Sequence, residues 1–311
     1  MTQKSSQKRY LGLELSGAKN SKTTIAVLEY YPKEKKVFLL DVHPGIGADP
    51  THSADEVLIE SIIDHADGHQ DFQIGVNVPL TLPPCIFCTP KTCSVDHHCS
   101  TPAVKWMAQF SSQSSAQSKH PKVSKRTAKM KDFFTPYTQR PVELWLKHQV
   151  LAQMPEKLRF EIDETLGGNK APLTARMHFL KRYLTDYPSH EVLPKLTVAL
   201  LMPKLKLTYR TLSQYRQLEG GAGARQTILE KMAENLDIFI YDRDMKKLTQ
   251  NLNAFDAFLC AYTVLLHDRR ECVLPPQGFP VDSGWIRYPK SLLLDSNVSV
   301  PEFDEDDEDE E

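Results

Sequence analysis

Three carboxylates and one amide lie within or at the end of separate apolar runs, where polar side chains are uncommon. They are Glu14 in Leu-Gly-Leu-Glu-Leu-Ser, Asn77 in Gly-Val-Asn-Val-Pro-Leu, Glu191 in His-Glu-Val-Leu-Pro and Asp256 in Asn-Ala-Phe-Asp-Ala-Phe. No two are close in sequence, so only the fold can bring them together. Carboxylates assembled by a fold can hold two divalent cations about 3.5–4 Å apart and activate water for phosphoryl transfer. The pattern therefore predicts a Mg²⁺ or Mn²⁺ site.

A second set of candidate metal ligands lies in residues 85–99. Their short spacing is that of a zinc knuckle with the last two ligand types exchanged, and thiolates with imidazole suit tetrahedral Zn²⁺. Four cysteines could instead hold an iron–sulfur cluster, and free thiols in a loop are the third interpretation. We expect a structural metal, with zinc preferred. The candidate ligands are Cys85, Cys88, Cys93, His98 and Cys99.

A basic run follows at residues 119–131 and is a candidate for contacts with nucleic-acid phosphates, because each neutralised phosphate releases counterions. Aromatic residues come directly after it and can stack on bases. The alternative interpretation is a solvated linker. The candidate nucleic-acid ligands are Lys122, Lys125, Arg126, Lys129 and Lys131.

Composition and charge restrict the class of protein. The 311 residues include 41% hydrophobic and 25% charged residues, enough for a sizeable core. No apolar stretch reaches the length of a membrane span and no leader is evident, so we expect a cytoplasmic protein without disulfides. Residues 302–311 hold nine acids. Without them the chain has 38 basic and 31 acidic residues, a net charge of +7 that favours a polyanionic partner.

The elements that must position these residues begin with alternating β-rich runs. After them, Ser53 stands three residues before Glu56, which is the capping-box spacing at a helix start. A short apolar run at residues 73–78 then ends at Pro79 and predicts a buried strand. The opening is therefore β-β-β-α-β. The first three predicted strands are residues 10–15, 24–29 and 37–42.

Beyond residue 84 the composition changes. Residues 85–132 indicate an insertion, flexible at the Ser/Gln/Ala segment 111–118. Pro194 limits the apolar run 192–202 to a strand end or the first turn of a helix. Arg140 and Glu143 are interpreted as a surface ion pair, with a substrate contact as the alternative. A further helix is predicted to start at Pro141, and others are predicted at residues 174–183, 222–236 and 252–267. The last predicted element is a short β-like segment at residues 285–289.

The order of the motifs resembles a family of predicted RNase H-like nucleases, domain of unknown function 429. The resemblance covers most of the chain outside the insertion and the tail. It implies an α/β fold with a mixed five-stranded sheet that opens with three antiparallel strands and is flanked by helices. The expected domain is residues 9–84 and 133–292, with the Cys/His-rich and basic insertion at 85–132 and a disordered acidic tail at 293–311. The motifs are Gly12-Leu-Glu14, Gly75-Val-Asn77-Val-Pro-Leu, Glu191-Val-Leu-Pro194, Gly223-Ala-Arg225, Asp256-Ala-Phe-Leu-Cys-Ala261 and Ile286-Arg-Tyr-Pro289.

The resemblance also implies roles for four residues. It makes Glu14 and Asp256 the central ligands of catalytic Mg²⁺ or Mn²⁺ and Glu191 a further ligand or water-positioning base. Asn77 stands where the family usually has Asp, and the loss of one negative ligand lowers the affinity for hard cations. Two functions follow: a metal-dependent nuclease, or a catalytically degenerate module that binds nucleic acid or protein. ATP binding on an actin-like fold is a weaker rival, since the required glycine-rich phosphate loops are missing.

Overall fold

The computed structural model describes residues 7–17, 22–89, 93, 99–117 and 134–294. By internal contacts the chain divides into two compact units. The first contains all four candidate catalytic residues and is formed by Met1–Val78, Ala175–Leu274 and Ile286–Glu311. The second is formed by Pro79–Thr174 and Pro275–Trp285, a wider segment than the predicted insertion. Among the described helices none combines the length and apolarity needed to cross a bilayer.

The first unit is built on a mixed sheet of seven described strands, in the order β6-β3-β2-β1-β4-β5-β7. The prediction of an α/β fold with three antiparallel strands first is confirmed, whereas the prediction of five strands is wrong. The two additional strands are only two residues long. One of them lies within the β-like ending predicted at residues 285–289, and the other, at Ile238–Phe239, is too short to show a pattern in the sequence. The strands are β1 Lys8–Glu14, β2 Thr23–Tyr31, β3 Lys36–Ile46, β4 Phe72–Val76, β5 Ser189–Val192, β6 Ile238–Phe239 and β7 Ile286–Arg287.

Strand pairing brings distant parts of the chain to one edge of the sheet. β1 pairs antiparallel with β2 and parallel with β4, with Leu13 opposite Val76. β4, β5 and β7 are also parallel neighbours, and Val76 lies opposite Glu191. The carboxyl ends of β1, β4 and β5 therefore meet at the same edge, which is where binding sites of open α/β sheets commonly form.

Helices follow the sequence signals closely. The predicted capping box is present: the Ser53 side chain accepts from the Glu56 amide, and the Glu56 carboxylate accepts from the Ser53 amide. β5 ends at Val192 and the next helix starts at Pro194, so the proline serves a first helical turn. The described α-helices are α1 Ala54–Ala66, α2 Pro102–Gln117, α3 Pro141–Trp145, α4 Lys170–Leu180, α5 Pro194–Leu205, α6 Tyr209–Gln214, α7 Gly221–Asn235, α8 Asp242–Gln250 and α9 Leu252–Asp268.

The second unit contains α2, α3, a π-helical segment at Leu146–Leu151 and the start of α4. Its core is an apolar cluster that includes Met107, Phe110 and Leu144. Residues 111–117 of the segment predicted to be flexible belong to α2, and the flexibility of that segment stays a prediction. The apolar residues Val104, Met107 and Phe110 anchor the helix to this core.

A second correction concerns Arg140 and Glu143. They form the predicted ion pair, with 3.0 Å between Arg140 Nε and Glu143 Oε1, but their side chains are only 1% and 3% exposed. The pair is therefore buried, not on the surface. Thr81 accepts a further hydrogen bond from Arg140, and Thr165 donates one to Glu143. These partners, distant in sequence, satisfy charges that would otherwise be costly to bury.

Candidate functional site

The candidate site begins with the way α9 lies on the sheet. Gly12 of β1 and Gly75 of β4 both face this helix, and a Cβ atom at either position would collide with its backbone, at Ala257 and at Cys260. Side chains two residues apart point to the same face of a strand. Glu14 and Asn77, two residues beyond these glycines, are therefore placed on the face that α9 covers.

Asp256, in α9, lies at the same end of the sheet. It lies one helical turn before Cys260, whose carbonyl lies over Gly75. One turn of helix advances about 6 Å, and two strand residues advance about 6.6 Å. The helix runs antiparallel to β1, because Asp268 at its other end accepts from Lys8 and Tyr10 at the start of that strand. Asp256 thus lies at the level of Asn77, and the fold brings Glu14, Asn77 and Asp256 together.

Asn77 is hydrogen-bonded both to the Glu14 side chain and to the backbone of β1. Its side-chain amide donates to Glu14 Oε2 at 2.9 Å, and its backbone amide donates to the Leu13 carbonyl at 3.2 Å. An aspartate could not donate this side-chain hydrogen bond. An aspartate here would place two carboxylates face to face, whereas Asn77 forms an amide–carboxylate contact with Glu14 that needs no cation to hold it.

Asp256 is neutralised by an arginine that the sequence analysis missed. Arg216, two residues beyond α6, donates from one guanidinium nitrogen to both carboxylate oxygens, at 2.8 and 3.1 Å. The Asp256 side chain is 1% exposed and that of Arg216 is 36% exposed. Although burial opposes it, the Asp256 carboxylate raises the pKa of Arg216 above its usual value, so the guanidinium stays charged. We call Glu14, Asn77, Asp256 and Arg216 the sheet-end site.

A buried tyrosine also lies near the Asp256 carboxylate. Tyr215 precedes Arg216, is 1% exposed, and its ring contacts that of Phe255 next to Asp256. Burial, and then the Asp256 carboxylate, raise the pKa of the Tyr215 hydroxyl well above its usual value. The phenol is therefore neutral across the physiological pH range and does not compensate the Asp256 charge. The buried Arg225 is a second cation near Asp256: burial lowers the pKa of Arg225, and the Asp256 carboxylate acts against this effect.

Glu191 is not part of the sheet-end site. Its neighbour His190 faces α9, because the His190 ring lies 4.9 Å from that of His267 and Nε2 is 3.0 Å from Gln73 Oε1. Alternation along β5 then directs Glu191, 6% exposed, to the opposite face of the sheet. The structure thus brings three of the four predicted residues together and separates the fourth.

The loop after β1 is held by another arginine without a sequence signal. Arg176 in α4 donates to the Ser16 carbonyl and to Thr23 Oγ1, and its guanidinium forms a 2.6 Å ion pair with Asp55. Ser16 is two residues beyond Glu14. Arg176 therefore fixes the chain where it leaves β1 and positions the Glu14 end of the strand.

A different cluster has the donor set of a transition-metal site. Within the described part of the chain, one group of at least three His, Cys, Asp or Glu side chains has its ligand atoms within 4.8 Å of one another: Asp41, His43 and His65. We call these three residues the histidine cluster. Glu14, Glu191 and Asp256 do not form such a group among the described residues. No local pattern in the sequence indicates the histidine cluster, because a β-strand and the end of a distant helix contribute its members.

The predicted zinc ligands of the insertion are described only in part. Cys85 and Cys99 pack against the apolar cluster of the second unit, and Cys88 and Cys93 are exposed. These four cysteines do not form a group of three within 4.8 Å. His98 lies outside the described residues, so zinc or iron–sulfur binding there stays a prediction. The same holds for the basic residues Lys122, Lys125, Arg126, Lys129 and Lys131 and for the acidic tail.

Comparison of the chain with models of protein families, with curated proteins and with solved structures finds no match. The chemistry of the sheet-end site must therefore be argued from its own residues. A two-metal site needs several carboxylate oxygens directed at a shared cation. In the sheet-end site, by contrast, the Asn77 amide donates to Glu14 and the Arg216 guanidinium donates to Asp256. These donors occupy carboxylate oxygens that a cation would need.

Proposed function

We propose that this chain is a nucleic-acid-binding protein on an RNase H-like fold whose acidic site no longer supports metal-dependent hydrolysis. The observation that carries the proposal is the pairing of both Asp256 oxygens with Arg216, at 2.8 and 3.1 Å. A Mg²⁺ ion would have to displace this guanidinium from a carboxylate that is 1% exposed. Mg²⁺ also gives up its water ligands reluctantly, so it competes poorly with an internal ion pair.

The RNase H-like part of the proposal is supported by the sheet. The five longer strands form a mixed sheet that opens with three antiparallel strands, and helices flank it. Gly12, Gly75 and the segment from Asp256 to Ala261 belong to the motifs that carry the resemblance, and all three take part in the close contact of α9 with the sheet. The close packing of α9 on the sheet is therefore a physical reason shared by these motifs.

Nucleic acid is the favoured partner because of charge. Outside residues 302–311 the chain carries 38 basic and 31 acidic residues. A basic body attracts a polyanion, and the affinity for a nucleic acid then falls steeply as salt displaces the bound counterions. The proposed partner is a single- or double-stranded nucleic acid bound mainly through its phosphates.

The second candidate function is a Mg²⁺- or Mn²⁺-dependent nuclease. It is favoured by the convergence of Glu14, Asn77 and Asp256 at one sheet end, since such convergence is what hydrolysis of a phosphodiester requires. In this case Arg216, whose side chain is 36% exposed, would have to swing away from Asp256 when metal and substrate bind.

Two assays on the full-length chain separate the candidates. Labelled single- and double-stranded DNA and RNA are incubated with the protein and Mg²⁺ or Mn²⁺, and their binding is measured by fluorescence anisotropy at several salt concentrations. We expect salt-dependent binding without cleavage, equal for the unaltered protein and Asp256→Asn. Metal-dependent cleavage that Asp256→Asn abolishes would establish the nuclease instead. Absence of both binding and cleavage would overturn both candidates.

A further inference from the structure

The histidine cluster has the donors of a zinc site. Asp41 and His43 lie two residues apart on β3, and His43 Nε2 is 2.7 Å from Asp41 Oδ2. His65 comes from the last turn of α1, and the rings of His43 and His65 are 5.4 Å apart. Imidazole and carboxylate are the ligands of many three-residue zinc sites, which leave a fourth position for water or an exogenous ligand.

We propose that Asp41, His43 and His65 bind a Zn²⁺ ion that links β3 to the end of α1. In a tetrahedral site with bonds of about 2.0–2.1 Å the ligand atoms lie roughly 3.3 Å apart. The ligand atoms here are within 4.8 Å of one another, so small side-chain rotations are sufficient. The side chains of Asp41 and His43 are 32% and 48% exposed, which leaves a path for the ion and room for rotation.

The short contact between Asp41 and His43 is compatible with this proposal. At 2.7 Å a proton must lie between His43 Nε2 and Asp41 Oδ2, in the place where a metal ion would bridge the two atoms. Zinc binding displaces this proton from Nε2, so that the neutral ring carries its single proton on Nδ1, and both Nε2 and Asp41 Oδ2 become ligands. Asp41 Oδ1 accepts from the Val42 amide at 2.8 Å, so the carboxylate is already oriented by the backbone.

Arg243 interacts with the Asp41 charge and forms a 3.1 Å ion pair with Asp244, and two further cationic side chains near the cluster also have carboxylate partners. Arg9 donates to the His65 carbonyl at 2.9 Å, but it also forms a 3.0 Å ion pair with Glu29. Lys247 donates to the Val42 carbonyl at 3.0 Å and forms a 3.1 Å ion pair with Asp244. Each of these charges is therefore paired with a carboxylate, and Arg9 and Lys247 also fix the backbone next to a zinc ligand.

The test measures Zn²⁺ binding to the full-length chain by isothermal titration calorimetry. Cys85, Cys88, Cys93 and Cys99 are replaced by Ser, so that thiolates do not contribute. We expect one equivalent of Zn²⁺ to bind. His43→Ala and, separately, His65→Ala should each weaken this binding by more than about 10-fold, because even the loss of a group that only hydrogen-bonds to a metal ligand typically costs about 10–100-fold.

The control is His52→Ala. His52 also contacts a carboxylate, with 3.2 Å between Nδ1 and Asp49 Oδ2, and is similarly exposed, but it belongs to no group of three ligands in the described chain. Its replacement should leave the zinc affinity unchanged. His43 is half exposed, so His43→Ala should unfold at the same temperature as its parent without zinc and lose the rise that zinc causes. Absent binding, or equal binding by the parent and His43→Ala, would overturn the proposal.

Discussion

The sheet-end site and the histidine cluster both combine carboxylates with nitrogen groups, yet they are suited to opposite partners. In the sheet-end site the nitrogen atoms are donors: the Asn77 amide donates to Glu14, and Arg216 donates to Asp256. In the histidine cluster the nitrogens belong to imidazoles, which are metal ligands once they lose a proton. The difference shows that the number of carboxylates is a poor guide to a metal site. What matters is whether the carboxylate oxygens already accept hydrogen bonds from donors within the protein.

Burial explains why the two regions differ. Asp256 is 1% exposed, and a carboxylate removed from water needs a permanent partner to remain ionised. Arg216 is that partner. Asp41 is 32% exposed and keeps part of its hydration, so it does not need a permanent cationic partner and can bind a metal ion at lower cost.

The largest expected effect comes from Gly12→Ala, which should break the sheet-end site and leave the histidine cluster unchanged. The new Cβ would meet backbone atoms of Ala257 and Ala261, which cannot move without displacing α9. We expect the free energy of unfolding to fall by about 4 kcal/mol, at the upper end of overpacking effects. Urea denaturation measures this change.

Gly223→Ala is the matched control for that prediction. Gly223 lies within α7, and a Cβ there would meet no atom within 4 Å. Alanine should stabilise the helix by about 0.5–1 kcal/mol, because glycine loses more backbone entropy on folding. If both substitutions changed stability equally, the close contact between α9 and β1 would be refuted.

The next effect in size concerns Arg216→Met, which removes the cation from the sheet-end site. A buried carboxylate without its partner costs about 3 kcal/mol of stability. Asp256→Asn should cost less, about 1 kcal/mol, because the partly exposed Arg216 can be hydrated. Chemical denaturation of both variants gives the comparison. Addition of Mg²⁺ should stabilise Arg216→Met and not the unaltered protein. Equal losses in the two variants would contradict the assignment of Arg216 as the substitute for a metal.

Much of the fold, and part of the site, could be predicted from the sequence. The capping box at Ser53, the apolar runs of β1 and β2 and the long α9 are local signals, and the structure has each of them. Glu14, Asn77 and Asp256 were predicted because polar residues in apolar runs stand out. Arg216 was missed because it lies in a polar segment where an arginine is ordinary.

Contacts between distant elements account for the other errors. Glu191 was assigned to the site from its motif, but the strand register that turns it away is fixed by the pairing of β4 with β5. The histidine cluster joins residues from β3 and α1 that are more than 20 positions apart. Arg140 and Glu143 were expected on the surface because charged pairs usually are, whereas Thr81 and Thr165 make their burial possible.

A smaller effect is expected from His190, which pairs with His267 but belongs to no group of three metal ligands in the described part of the chain. Burial, then the positive charges of His267 and Arg287, lower the pKa of His190 to about 4. Between the ordinary pKa of about 6.5 and this value the unfolded chain binds more protons than the folded protein, so stability falls as the pH falls through this window. We expect His190 to contribute about 2 kcal/mol to this loss.

His190→Gln should therefore flatten the pH dependence of unfolding between pH 6.5 and 4, which thermal or urea denaturation can follow. His52→Gln is the control, because its Asp49 partner raises the pKa of this exposed histidine and the effect has the opposite sign. A pH dependence that is as steep in His190→Gln as in the unaltered protein would show that another group titrates. Neither substitution should change zinc binding, because neither His190 nor His52 belongs to the histidine cluster.

The smallest effect is expected from Asn77→Asp, yet it sharpens the comparison most. Without metal, the new carboxylate faces Glu14, loses the 2.9 Å hydrogen bond and should cost about 1 kcal/mol. With Mg²⁺ or Mn²⁺ the same pair of carboxylates becomes attractive to a cation, so metal should restore stability in the variant and not in the unaltered protein. Thermal unfolding with and without metal measures both effects. If Asn77→Asp alone gains metal binding, Arg216 yields Asp256 to a cation and the site is a decayed nuclease. If metal binds only when Arg216→Met is added, the arginine is the stronger barrier, and the sheet-end site is held closed by its own ion pair.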